Sequence, residues 1–354
     1  MKIRTITTLA AGALAALMVL SGCGNASANT NTNSANNASG DTSSSQTDTS
    51  VSGTITVYTS EPQNKLDALI KDFNEVVPNV KVQSFRAGTG DLNARIESEQ
   101  ANGGVKADIL WAADASTFEK YKKSDSLAKY TPKEADKLID GVTDADGYYT
   151  GTRVIPTVIA YNTNAIKTAP DSWKSLADAQ YNGKIVMPNP SVSGAAAYNA
   201  AVWYLDKSLG EQWFTELGKN KPVIADSNGP VSQAVASGTQ PVGVVVDYLI
   251  RDLKAKGSPV AVAYPSEGVP FVSEPIGIFK STKNEKAAQA FIDYVLSVRG
   301  QKLAVKQNYL PVRNDAGSPE GAPELDKIKL LNPDLATVTE NKETALKSFT
   351  AHVG

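Results

Sequence analysis

The sequence predicts an α/β protein of two hinged α/β lobes, each built on a mostly parallel sheet. Three observations lead there. Short β-branched runs alternate with stretches whose apolar residues recur at helical spacing, as in right-handed βαβ units. That alternation runs through one block of sequence and begins again in a second. Extended segments near Val154 and Pro275 pass between the blocks, so the lobes are joined by more than one crossover.

The elements follow in order. Thr54 to Thr59 reads as a buried strand, and Leu66, Leu69, Ile70 and Phe73 then recur at helical spacing. Val80 to Gln83 alternates as a second strand. It leads to Gly88-Thr89-Gly90-Asp91, where Asp91 is expected to cap a helix marked by Leu92 and Ile96. Ala107 to Ala113 is a third strand, with Asp114, Ser116 and Thr117 at the mouth of the next helix. In the second block, Val154 to Tyr161 is a strand interrupted by Pro156, which suits an edge or a crossover. Asp171-Ser172-Trp173 is expected to open a helix. Lys184 to Met187 is a short strand running into Pro188-Asn189-Pro190-Ser191-Val192-Ser193-Gly194 and a small-residue helix to about Tyr204. Val242 to Val246 is strongly apolar and ends at Asp247-Tyr248, Val260 to Tyr264 is another strand, and Pro275 to Lys280 leads back toward the first block. Ala287, Ala290, Phe291, Tyr294 and Val295 share one side of a last helix. The expected division is lobe 1 at 53–157 plus 277–354 and lobe 2 at 158–276.

What precedes Gly53 reads differently. Lys2 and Arg4 stand before an apolar stretch from Leu9 to Leu20, closed by Ser21-Gly22-Cys23. This is the layout of a lipoprotein signal peptide at 1–22, with Cys23 lipidated as the first mature residue. The apolar run, about 12 residues, falls short of the roughly 20 that span a bilayer. Residues 23–52 hold no aromatic side chain and are mostly Asn, Ser, Thr, Ala and Gly, so a flexible spacer is expected there. The chain is therefore expected outside the cytoplasm, lipid-anchored to the cell membrane.

Composition narrows the chemistry. With 35 basic and 37 acidic residues and no long basic run, nucleic acid is not the expected partner. Cys23 is the single cysteine, so no disulfide or thiol nucleophile is available. The single histidine, His352, lies at the C-terminus, where order is usually poor. A histidine base and His-bearing zinc sites are thereby excluded.

Ligands of open α/β sheets bind beyond the carboxyl ends of the strands. Those positions carry Thr59 and Ser60, then Thr89, then Asp114, in the first block. In the second they carry Ser191, Ser193 and Gly194, then Ser227, then Asp247 and Tyr248. Ser191, Ser193 and Gly194 before a helix read either as an anion site on free backbone N–H groups or as an ordinary Ser cap. Asp247 and Tyr248 offer hard oxygen donors for a cation or a polar ligand, or simply cap and pack. Asp114 can hold an ammonium group or cap its helix.

Four stretches resemble the extracytoplasmic solute-binding proteins of ABC importers: Ile55 to Phe73, Ala107 to Ala115, Pro170 to Gly194, and Asn284 to Arg313. The likeness is to the cluster whose members bind ferric iron, thiamine, phosphonates or sugar phosphates, with a type II periplasmic-binding-protein-like fold. The resemblance implies a monomer without cofactor or enzyme activity that closes on a small solute and presents it to a permease. The chain has no GxxxxGK[ST] motif, so the ATPase is a separate subunit. Ferric-binding members usually hold the metal through a Tyr-Tyr pair near the position of Asp247-Tyr248. Here the pair is Asp-Tyr, and Tyr58 is a strand residue that can face the core. Phosphonate and sugar-phosphate members use hydroxyls and helix N-termini, which Thr89, Ser191, Ser193 and Gly194 match better. Asp114, Asp247 or Glu274 could then hold an amine or a sugar hydroxyl. A phosphorus-bearing organic anion is thus the expected ligand and ferric iron the alternative. A lipid-anchored hydrolase and a surface adhesin are the readings of another class.

Overall fold

The computed structural model describes residues 47–354. The expected leader, Cys23 and the spacer up to residue 46 lie outside the described residues. Residues 48–52, expected in the spacer, already dock on the first sheet's helices. The Asp48 N–H donates to the Val76 carbonyl at 2.7 Å, and Val51 packs on the core.

From there the chain runs β1 (Gly53–Thr59), α1 (Gln63–Val76), β2 (Val80–Arg86), α2 (Thr89–Ala101), β3 (Ile109–Trp111), α3 (Ala115–Lys123), β4 (Leu127–Ala128) and β5 (Thr150–Gly151). The second block holds β6 (Arg153–Asn162), β7 (Ile185–Pro188), α4 (Gly194–Leu205), α5 (Gly210–Gly218), β8 (Val223–Ala225), α6 (Asn228–Ser237), β9 (Val242–Val246), α7 (Asp247–Ala255), β10 (Val260–Ala263) and β11 (Val269–Val272). Then come β12 (Pro275–Phe279), α8 (Glu285–Leu296), α9 (Val298–Lys306), β13 (Leu310–Pro311), β14 (Leu330–Leu331) and α10 (Leu335–His352).

Two sheets result. The first has the order β2-β1-β3-β12-β4, with β5 beside β12. β1 is parallel to β2 and β3, while β12 returns from the second block antiparallel to β3. The second has the order β14-β11-β6-β9-β7-β8, with β10 and β13 also on β6. Its β7 is parallel to β8 and β9, and β6 runs antiparallel to β9. Each sheet therefore keeps a parallel core and takes one long antiparallel strand through the crossover, the two-lobed type II arrangement.

Packing explains the layers. Leu66, Leu69 and Phe73 of α1 and Phe291 of α8 are buried on the first sheet, with Phe73 and Phe291 edge to face at 5.3 Å. Such aromatic pairs contribute about 0.5–1.5 kcal/mol beyond area burial. The second sheet is covered by Trp173, Trp203 and Trp213, whose ring centroids lie 5.0–6.2 Å apart.

Several local expectations change. β6 is the central strand of the second sheet, not an edge. β9 pairs with it only from Thr157 onward, so the missing N–H of Pro156 breaks no bond to β9. Residues 153–157, expected in lobe 1, belong to the second sheet, because 153–156 pair with β13 and β11 and Thr157 with β9. The chain after Trp173 forms two 3-10 turns, Lys174–Ala177 and Ala179–Tyr181, because Asp178 between them is extended. Helix α2 begins at Thr89 with Gly88 as its cap, which leaves Asp91 in the first turn.

The C-terminus is ordered rather than frayed. α10 packs on α4 and α5 of the second sheet's layer, where Phe349 meets Phe214 at 5.4 Å. Residues 335–352 therefore lie with lobe 2, not lobe 1. His352 approaches Glu211 at 3.4 Å, far from the cleft described next.

Candidate ligand-binding site

Residues at or just past the ends of β1, β2, β3, β8 and β9 line one cavity between the two sheets, of about 570 Å³. That is within the range of small-molecule pockets. Five helix starts open onto it: Pro62 before α1, Thr89 of α2, Gly194 and Ala195 of α4, Asn228 and Gly229 of α6, and Tyr248 and Leu249 of α7. The first N–H groups of a helix have no partner within it, and its dipole places partial positive charge there. Arg86 adds a full positive charge at the rim, opposed by the exposed Asp91 and Asp226.

The local chemistry of these starts is specific. Ser193 caps α4: its Oγ accepts from the Ala196 N–H at 3.2 Å and from Asn228 Nδ2 at 3.0 Å. Asn228 Oδ1 in turn accepts from the Val246 N–H at 3.2 Å, so one amide fixes the starts of α4, α6 and α7 together. Ser227 stands at the cap of α6 without a capping bond from its own side chain. Thr89 is 2% exposed, lines the cavity, and its Oγ1 has no hydrogen-bond partner. A buried hydroxyl in that state costs stability until a ligand satisfies it.

The two halves meet at this point. The Gly90 N–H donates to the Val192 carbonyl at 3.2 Å. A Cβ added at Gly90 would stand 2.0 Å from the Ser191 oxygen, and one at Gly194 would stand 2.4 Å from Thr89 Oγ1. Glycine is required here by close approach, not by backbone angle.

The crossovers form the other end of the cavity. Glu274, in a left-handed backbone conformation (φ 45°), borders it. Arg153 lies between two carboxylates, 2.9 Å from Glu61 Oε2 and 3.3 Å from Glu274 Oε2. The Tyr309 hydroxyl donates to Glu61 Oε2 at 3.2 Å. Burial and the neighbouring Glu61 charge push the Glu274 carboxyl well above the usual range, against the pull of Arg153. Tyr248 packs tilted against Tyr309, ring centroids 4.4 Å apart, with Lys65 Nζ 4.9 Å from each ring, and burial pushes the Tyr248 phenol up.

Of the residues singled out from the sequence, Ser60, Thr89, Ser193, Gly194, Ser227, Tyr248 and Glu274 line the cavity together. Four do not. The Thr59 hydroxyl is fully buried and accepts from the Glu61 N–H. Ser191 is exposed on the outer side of the seam, with only its carbonyl against Gly90. Asp114 caps α3, accepts from Ser116 and Thr117, and pairs with Lys342 of α10. Asp247 is buried against Arg251 at 2.6 Å and Tyr264 at 3.2 Å, its carboxyl pushed up by burial although Arg251 opposes this. Arg86 and Asn228 were not singled out. Asn228 was visible as part of the Asp226-Ser227-Asn228 strand end, whereas nothing local marks Arg86.

The fold and the cleft are those of a solute-binding protein of the periplasmic-binding-protein class. Residues 105–337 match the family model of the bacterial extracellular solute-binding proteins, and the chain belongs to that family. An uncharacterized protein of Haemophilus influenzae is 25% identical over 325 residues, 86% of this chain and 92% of that one. Iron uptake protein A2 of Synechocystis is 25% identical over 277 residues, 73% of this chain and 77% of that one. A Salmonella typhimurium protein named as a 2-aminoethylphosphonate-binding periplasmic protein is 24% identical over 262 residues, 67% and 71% of the two chains. Among solved structures, AfuA of Actinobacillus pleuropneumoniae with fructose-6-phosphate bound superposes with a TM-score of 0.76 at 22% identity, covering 85% of this chain and 98% of that one. Iron-bound HitA of Pseudomonas aeruginosa gives 0.73 at 23% identity, covering 84% and 99%.

Proposed function

We propose that the chain captures a small organic anion bearing phosphorus, a phosphonate or a phosphate ester, for an ABC importer. The family is one of extracellular solute-binding proteins, so the chain works outside the cytoplasm with a separate permease and ATPase. The observation that carries the ligand class is Thr89: an unpartnered buried hydroxyl at one of five helix starts that open on a single cavity. Helix starts with free N–H groups and hydroxyls stabilise phosphorus oxyanions without a metal. Relatives and structural neighbours named for a phosphonate and a sugar phosphate support the same class.

Ferric iron finds less support in the donor set, although Synechocystis iron uptake protein A2 and HitA are alike in sequence and fold. Tyr248 is the single phenol among the residues lining the cavity. The Tyr58, Tyr264 and Tyr309 hydroxyls bond to Glu99, Asp247 and Glu61.

Capture works by closure. Ligand held at the start of α4 also meets Thr89 of α2, so it stabilises the joined state by its differential affinity for that state. Cys23, outside the described residues, is proposed to carry the lipid that tethers the mature chain.

The test is a thermal-shift and calorimetric panel of 2-aminoethylphosphonate, ethylphosphonate, fructose 6-phosphate and ferric citrate. A true ligand raises Tm with the logarithm of its concentration over Kd. Phosphorus anions should do so and be recovered chemically unchanged. Stabilisation by ferric citrate alone would overturn the reading.

A further inference from the structure

We propose that the solute carries, beside its phosphorus-bearing end, an ammonium group that Glu274 receives where the crossovers close the cavity. This deepens the phosphorus-anion reading and rests on it. The argument begins with a charge count. Glu61 and Glu274, both at most 3% exposed, face one guanidinium, Arg153. Lys65 does not make up the difference, because it pairs with Asp252 at 2.9 Å. The other groups around the pair, Ser60, Tyr248 and Tyr309, carry no positive charge. Two carboxylates against one cation leave a negative charge buried, which a proton or a cation must neutralise.

The geometry says where that cation enters. Glu61 Oε1 and Glu274 Oε2 have no donor, and the two carboxyls stand within hydrogen-bond reach of each other. Arg153 Nε is close enough to Glu274 to pair in charge but is not aligned to donate. Of the two acids only Glu274 lines the cavity. Asp114 and Asp247, the other acids the sequence offered, are saturated by Lys342 and Arg251. Asp91 and Asp226 are exposed at the rim, where water screens them. Without ligand the pair holds a proton, consistent with the raised Glu274 carboxyl. An entering ammonium takes the proton's place, and the proton leaves to solvent.

The experiment uses the full chain and two probes of nearly equal size, 2-aminoethylphosphonate and ethylphosphonate. Both are titrated calorimetrically near pH 7 in two buffers of different ionisation enthalpy. The amine should bind about tenfold or more tightly, as a charged hydrogen bond predicts, with proton release seen only for it. E274Q should bring the ratio of the two affinities toward one. Equal affinities in the wild type, or a ratio unmoved by E274Q, would overturn the ammonium assignment and leave the phosphorus reading standing. If neither phosphonate binds, both fall. Should E274Q fail to fold, the wild-type comparison and its proton release decide alone.

Discussion

The Gly90 N–H donates to the Val192 carbonyl across the mouth of the cleft, at 3.2 Å. One partner starts a helix on the first sheet and the other leads into a helix on the second. On the proposed mechanism a ligand reached from both starts would be held only while this bond is made, which would couple binding to the approach of the halves.

Gly90→Ala tests that coupling. Its Cβ would stand 2.0 Å from the Ser191 oxygen, so the seam cannot form as it stands. Apart from the seam, alanine suits the first turn of α2 better than glycine. Ligand affinity should fall at least about tenfold, while a costless open form keeps the unliganded Tm within a few degrees. Small-angle scattering should also lose any ligand-induced compaction. Wild-type affinity in this variant would mean that binding does not require the seam.

Thr89→Val removes a hydroxyl that has no partner in the structure and keeps the side-chain shape. The free protein should be as stable as wild type or slightly more so. Affinity for a phosphorus anion should drop by about 1.5–3 kcal/mol, the worth of a hydrogen bond to a charged group. Calorimetry together with thermal melts separates the two effects. A destabilised free protein with unchanged affinity would make Thr89 merely structural.

Lys342 joins α10, packed on the second sheet's helices, to Asp114 and Ser116 at the start of α3 on the first sheet. Lys342→Met removes this ion pair between the halves without touching the cavity. The unliganded chain should expand in scattering, and affinity should weaken by less than about tenfold, the scale of a partly exposed pair. Unchanged dimensions would show that the pair does not set the balance between open and closed forms.

Local signals were legible and distant ones were not. The Ser193-Gly194 helix start and the apolar run at Val242 could be read directly, because a cap and a buried strand depend on neighbouring residues. Asp114 and Asp247 could be read at their strand ends either as acids for a ligand or as caps. Their saturation depends on Lys342 from α10 and on Arg251 and Tyr264, which strand-end reasoning does not weigh. Glu274 was noticed, but its charge environment comes from Glu61 after β1, Arg153 at the start of β6 and Tyr309 before β13, residues far apart in sequence. α10 was missed because its buried side, Val338, Ala345 and Phe349, is sparse among polar residues and its partners α4 and α5 lie far away in sequence.

Arg153 is 1% exposed and neutralises part of the charge of Glu61 and Glu274. Arg153→Met should therefore destabilise the chain by about 3–5 kcal/mol, the usual result of breaking a buried pair from one side. Adding Glu274→Gln should recover part of that loss, since glutamine beside the stranded Glu61 charge stays neutral without having to hold a proton. Urea unfolding of the single and double variants measures the coupling. Additive losses would show that the two side chains do not share one electrostatic site.

Glu274→Gln alone makes a prediction about pH whose sign is fixed by the direction of the shift. Burial, with Glu61 beside it, raises the folded-state carboxyl above its ordinary value of 4.5. An acid raised on folding contributes stability below its unfolded value and loses it as pH climbs through the folded one. Glutamine imitates the protonated acid at every pH. The unliganded variant and wild type should therefore melt together in acid, below the ordinary value. The variant should then gain progressively on wild type as pH rises above it, until the folded carboxyl has ionised. Melting curves at several pH values, without ligand, give the difference directly. A gap that is constant across that range, or that opens on the acid side, would mean that the Glu274 carboxyl is not raised on folding and that the pair does not hold a proton in the free protein.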